Sequence, residues 1–226
     1  MAEVAGFKIR KLKFEIRKTT RPAIGPAPPA GDQDSGIENR KSLRTVLIAN
    51  RHPRLHLDRR AVKTLIAVLD TRFHAVPDRS AGRTSNADAG TPAPPSAIRD
   101  PRSSVRSACP PGDLSLVFLT DAAQARLHAD FLADPTPTDV ITFEGDAAHG
   151  TAGEICVSAD TAATYARAHR RDFSAELTLY VIHGWLHLAG YDDLQPEKRR
   201  AMRRAEARAV KLLQSAGVRP RFSLRH

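Results

Sequence analysis

The apolar residues of this chain fall into short periodic runs separated by stretches too polar to join a core. Val46-Leu47-Ile48-Ala49 suits a strand. After Asp58, a helix N-cap residue by type, Val62, Leu65, Ile66 and Leu69 recur at helical spacing on one face. Leu114 to Leu119 predicts a second strand, and Thr120 or Asp121 then caps a helix that reaches about Leu132 before Pro135 and Pro137 stop it. Asp139 to Phe143, rich in β-branched residues, predicts a third strand, and Glu154 to Ser158 a fourth. Helices follow from about Ala159 to His169, from about Ser174 to Ala189, and from Pro196 to about Ala216.

Two stretches lack this patterning. Residues 1 to about 42 open with alternating basic and apolar residues, Phe7 to Phe14, suited to form a strand on a partner. They then pass into the Pro/Gly/Ala-rich Arg21 to Gly31, so a solvated basic extension is expected. Pro77 to Gly112 carries almost no large apolar residue and reads as a disordered insertion. What remains, about 150 residues, is enough for one domain, which we place at 43–226 with the insertion at about 77–112.

Composition narrows the partners. The formal charge of +10 points to acidic ligands such as RNA, DNA or anionic membrane, without choosing among them. The cysteines, Cys109 and Cys156, fall in a predicted loop and a predicted strand, which indicates neither a disulfide framework nor a cysteine zinc cluster and fits a reducing cytoplasm. No apolar run has the length of a signal peptide core or a membrane span, so secretion and membrane insertion are not expected.

The helix over Ser174 to Ala189 carries the candidate chemistry. In its apolar run, Leu177 to Leu188, His183 and His187 stand four residues apart and share one helix face. Gly190 offers a φ > 0 position at which the chain can turn back and bring Asp192 or Asp193 to the same ion. Three protein ligands and an exchangeable water are the pattern of a catalytic zinc site, whereas structural zinc is usually closed by four ligands rich in cysteine. The blander alternative is a pair of buried, hydrogen-bonded histidines; helix, glycine break and acidic pair together favour the metal. The metalloprotease signature places its general base, a Glu, directly after the first His, and here that position is Gly184.

The run His183 to Asp193 resembles the signature of the YbeY family of bacterial rRNA maturation endoribonucleases, His-Gly-x-Leu-His-Leu-x-Gly-Tyr-Asp-His, at every fixed position except the last. There the family's third histidine ligand falls on Asp193. Pro137 to Phe143 resembles the family's Pro-Thr-Asp-Val-Leu-Ser-Phe segment and Gly153 to Ser158 its Gly-Asp-Ile-x-Ile-Ser strand, in family order. The resemblance covers roughly residues 43 to 215, apart from the insertion. It implies an α+β fold, a small mixed β-sheet packed with helices, with a zincin-like two-histidine helix and a metal cleft over the sheet. It further implies one Zn2+ per chain, held by His183, His187 and Asp193, which act catalytically through the metal. The implied activity is cleavage of single-stranded rRNA in ribosome biogenesis or quality control. The implied partners are rRNA and ribosomal particles, with a ribosomal protein as a further candidate.

Two departures from the family pattern bear on mechanism. Two imidazoles and a carboxylate leave a zinc site with a charge of about +1, where three imidazoles leave about +2, so bound water becomes a weaker acid. Many members also carry an arginine just upstream of the Pro-Thr-Asp-Val segment. That position falls on Leu132, and no Lys or Arg lies between Arg126 and the strand, so either another cation serves or none is used.

Asp139 has two readings, a cleft carboxylate that orients a histidine or substrate, and a strand-start residue bonding its own backbone. Trp185 and Leu186 are expected in the core, and Tyr191 as a buttress of the turn. From Glu197 onward ten Lys/Arg face two Glu, an excess that suits RNA backbone contact beyond a merely solvated helix face. Two other functions stay in view. One is a ribosome-assembly factor whose metal serves folding only; the other is a different metal-dependent hydrolase, disfavoured by Gly184 and by the positive charge.

Overall fold

The computed structural model describes residues 12–13, 44–74 and 109–225. In chain order the elements are β1 (Leu12–Lys13), β2 (Val46–Asn50), β3 (Leu55–Leu57), α1 (Arg59–Arg72), β4 (Asp113–Leu119), α2 (Asp121–Leu132), β5 (Val140–Glu144), β6 (Thr151–Ser158), α3 (Ala159–Ala168), α4 (Phe173–Leu188), α5 (Pro196–Ser215) and β7 (Phe222–Leu224). β1, β2, β4, β5 and β6 form one mixed sheet in the order β1-β5-β6-β4-β2. β4 runs parallel to both β2 and β6, while β5 is antiparallel to β6 and parallel to β1.

Alternation along β4 divides the protein into two layers. Leu114, Leu116 and Phe118 point into a core shared with α1, α3, α4 and α5, whereas Val117 and Leu119 join a smaller cluster with Leu127 of α2 on the other face. The helix termini follow the residue types. Asp58 accepts from the backbone N–H of Arg60 and Ala61, Thr120 from that of Ala123, and Asp172 from that of Ala175. The buried face of α1 is Val62, Leu65, Ile66 and Leu69, the four positions whose spacing predicts it.

Three features depart from the expected pattern. β3 and β7 form a separate antiparallel ladder, with Leu55 opposite Leu224 and Leu57 opposite Phe222. Three-residue runs carry no readable period, and pairing partners so far apart in the chain leave no local turn signal. The extension expected at 1 to about 42 supplies an edge strand at Leu12–Lys13; the rest of it lies outside the described residues. The insertion expected at Pro77 to Gly112 is packed at its end, because Cys109 is buried and accepts hydrogen bonds from Arg44 at Sγ (3.2 Å) and at its carbonyl (3.3 Å). Residues 75–108 lie outside the described residues.

α4 is apolar nearly all round and is buried along almost its whole length, as a central helix must be. It lies on β5 and β6 and is flanked by α3 and α5. Trp185 anchors it. The indole is fully buried, packs edge-on against Phe73 at 5.5 Å, and donates through Nε1 to Asp70 Oδ1 at 3.0 Å. The other oxygen of Asp70 pairs with Arg44 Nε at 2.7 Å. Burial raises the Asp70 pKa even though Arg44 and Trp185 pull it down.

Gly184 lies where α4 meets the sheet. A Cβ there runs into Ile155 Cγ2 and comes within 3.0 Å of Val140 Cγ1. The close approach of helix and sheet leaves no room for a side chain at this position, a glutamate included. Gly184→Ala should therefore be destabilising: overpacking costs about 1–3 kcal/mol, against about 1 kcal/mol gained from helix preference. Thermal unfolding followed by circular dichroism should show a lowered Tm; an unchanged or raised Tm would mean that the helix and sheet can separate at no cost.

Candidate metal centre

His183 and His187 occupy successive turns of α4, with their rings edge-to-face at 4.5 Å and their Nε2 atoms 3.0 Å apart. The far nitrogen of each ring is engaged. His183 Nδ1 lies 2.6 Å from Glu206 Oε1 on α5, and His187 Nδ1 lies 3.1 Å from the Tyr191 carbonyl oxygen. A carbonyl oxygen can only accept, so His187 carries its proton on Nδ1; the Glu206 carboxylate imposes the same tautomer on His183. Two Nε2 lone pairs then face each other across 3.0 Å.

The chain beyond α4 brings a third acceptor to the same point. Gly190, at φ 97°, reverses the backbone, and the Tyr191 N–H bonds back to the Leu186 carbonyl at 3.0 Å. Asp193 consequently points inward, its Oδ2 3.9 Å from His183 Nε2 and its Oδ1 3.9 Å from His187 Nε2. One ligand atom from each of His183, His187 and Asp193 lies within 4.8 Å of the others. Asp193 Oδ1 is buried without a hydrogen-bond partner. Asp192 turns the other way, accepting from the Leu194 N–H at 3.1 Å and pairing with Lys198 Nζ at 3.0 Å.

Electrostatics at the cluster favour a cation. Burial works against a charged His183, but the Glu206 hydrogen bond and the charges of Asp139, Glu206 and Asp193 outweigh it and raise its pKa. Burial also raises the pKa of Asp193, with Asp139 and Asp192 adding to the effect and His183 and Arg199 opposing it. Convergent lone pairs, an orphaned carboxylate oxygen and surrounding negative charge together fit a divalent metal ion. Two imidazoles and one carboxylate suit a borderline ion such as zinc.

The structure does not bring Asp139 into this cluster. Its carboxylate accepts from the Val140 N–H (2.9 Å) and from Thr138 Oγ1 (3.1 Å), the strand-start role, and its charge helps to raise the His183 pKa. Tyr191 is buried and buttresses the turn: its hydroxyl accepts from Arg208 Nη2 at 3.1 Å while its carbonyl orients His187. Glu206 is the residue that reading the sequence misses. Its signal was there, as one of two acids in a strongly basic helix.

Among the described residues, no helix is long and apolar enough to cross a membrane. A family model described as Endoribonuclease YbeY matches residues 100–214. The chain is similar to the Endoribonuclease YbeY of Protochlamydia amoebophila, at 41% identity over 100 residues, 42% of this chain and 67% of that protein. The protein of the same description from Syntrophotalea carbinolica is 39% identical over 122 residues, 51% of this chain and 79% of the relative. That from Rhodopirellula baltica is 40% identical over 108 residues, 46% of this chain and 56% of the relative.

Zinc titration against a chelating fluorophore separates the roles of these side chains. Asp193→Ala should lose affinity by more than the roughly 10–100-fold typical of residues that only orient a ligand, Glu206→Gln should fall in that range, and Asp192→Ala in or below it. For wild type, zinc must displace the proton that His183 retains above the usual histidine pKa. Affinity should accordingly drop by about tenfold per pH unit below that pKa for one displaced proton. Loss of zinc in Asp192→Ala with retention in Asp193→Ala would reverse the assignment.

Proposed function

Because the chain belongs to the YbeY family of endoribonucleases, we propose that it is a zinc-dependent endoribonuclease that cuts single-stranded rRNA during ribosome maturation, with His183, His187 and Asp193 as the metal ligands. The observation that carries this reading is the convergence of two Nε2 lone pairs and an orphaned carboxylate oxygen at one buried point. A divalent ion held there supplies Lewis-acid stabilisation of the charge that builds on a scissile phosphate.

The protein's own groups prepare the site. Glu206 and the Tyr191 carbonyl hold both imidazoles in the Nδ1–H tautomer, so Nε2 is the donor atom in each. Gly184 lets α4 lie flush on β5 and β6, which fixes the helix that carries both histidines. Arg200, Arg203 and Arg204 are exposed on α5 and offer charge to an RNA backbone. Single-stranded RNA is the expected substrate, because its flexible backbone can enter a cleft and align for in-line attack.

The test is cleavage of single-stranded rRNA fragments by protein of known metal content, beside a His183→Ala His187→Ala variant. Wild type should cleave, chelation should abolish cleavage, and the variant should bind RNA without cutting it. Binding without metal-dependent cleavage by wild type would instead identify an assembly factor. In parallel, Arg200→Gln Arg203→Gln Arg204→Gln should flatten the salt dependence of RNA binding by about 2 in log–log slope, roughly 0.7 for each single-strand phosphate that an arginine neutralises. An unchanged slope would make this a solvated face only.

A further inference from the structure

We propose that Arg199 grips the phosphodiester group of the RNA at the metal site, taking the place of the arginine that the family pattern puts at the position of Leu132. The inference rests on the endoribonuclease reading. Arg199 lies in the first turn of α5, seven residues before Glu206, so the two side chains share one helix face about two turns apart. Glu206 holds His183 from that face, and Arg199 Nε donates to the Asp193 carbonyl at 3.1 Å. The one face therefore touches the metal cluster at both ends.

What distinguishes Arg199 from its neighbours is its anchorage to Asp193, whose carboxylate belongs to the cluster. Lys198 is paired with Asp192 at 3.0 Å, and Arg208 donates to the Tyr191 hydroxyl and stacks over Phe73 at 5.1 Å. Arg200, Arg203 and Arg204 are exposed. Arg199 is half-buried, and its Nη1 and Nη2 make no hydrogen bond among the described residues. A guanidinium fixed at Nε with its two Nη groups unused is a planar fork that matches two oxygens of one phosphate. Next to the metal ligands, this fork can hold the non-bridging oxygens of a scissile phosphate and stabilise the charge they gain during displacement. Arg199 stays protonated throughout; it makes and breaks hydrogen bonds only.

The rival role is a brace that merely holds the Asp193 loop, and the test separates the two. Full-length wild type, Arg199→Gln and Arg199→Lys are compared in zinc affinity, in kcat and KM on a short single-stranded RNA, and in the salt dependence of binding that RNA without metal. Arg199→Gln should keep zinc affinity within about threefold of wild type, lose roughly 10²–10³-fold in kcat/KM with most of the loss in kcat, and lower the salt slope by about 0.7. Arg199→Lys should restore the slope but only part of kcat, because the charge returns without the fork. A zinc affinity that falls in step with activity, with saturating zinc restoring kcat, would overturn the proposal and make Arg199 a brace. So would an unchanged salt slope. If wild type shows no metal-dependent cleavage, the endoribonuclease reading fails, and the salt slope alone decides whether Arg199 meets phosphate.

Discussion

Two imidazole lone pairs and a carboxylate are held face to face at a buried point, and much of the described structure serves to keep them there. Left without a cation the arrangement is costly, because each acceptor has lost water and faces another acceptor. Burial works against charge on His183, yet the Glu206 hydrogen bond and the neighbouring carboxylates raise its pKa, so the surroundings favour positive charge at this point. Folding supplies the packing energy that holds these groups together, and a metal ion bound there would recover the electrostatic cost as affinity.

The surrounding architecture follows from that requirement. α4 must be rigid and dry, so it is buried on nearly every side and anchored by Trp185, whose indole N–H reaches Asp70 and through it Arg44. Gly184 removes the one side chain that would hold the helix off the sheet. Gly190 then reverses the chain within one residue, which lets Tyr191 and Asp193 act on the two histidines from a loop too short to wander. α5 closes the site from the other side with Glu206 and Arg199 on a single face. With a metal bound, a carboxylate in place of a third imidazole would lower the positive charge of the site, and the guanidinium of Arg199, held at the Asp193 carbonyl, would return part of it.

Much of the fold is legible in the sequence because its main elements carry their own periods and caps. The four buried positions of α1, the cap at Thr120 and the β-branched run of β5 are each local signals. The candidate cluster is legible for the same reason, since His183, His187 and Asp193 lie within eleven residues of one another and a helix followed by a glycine sets their geometry. What escapes is long-range. β3 and β7 are three residues each and find one another across most of the chain. Cys109, which reads as part of a loop, is buried by the core and by Arg44, 65 residues away in the chain. Glu206 lies on a different helix from the histidine it orients, and Asp139, weighed evenly between a site role and a local one, bonds its own strand.

The tautomers of the two histidines carry the central claim, and long-range 1H–15N correlation spectroscopy of the zinc-loaded full chain reads them directly. Both rings should carry their proton on Nδ1, with each Nε2 resonance shifted to the range of a metal-coordinated nitrogen. A proton on Nε2 of either ring, or an imidazolium persisting in the presence of saturating zinc at neutral pH, would contradict a site in which these two nitrogens and Asp193 hold one ion.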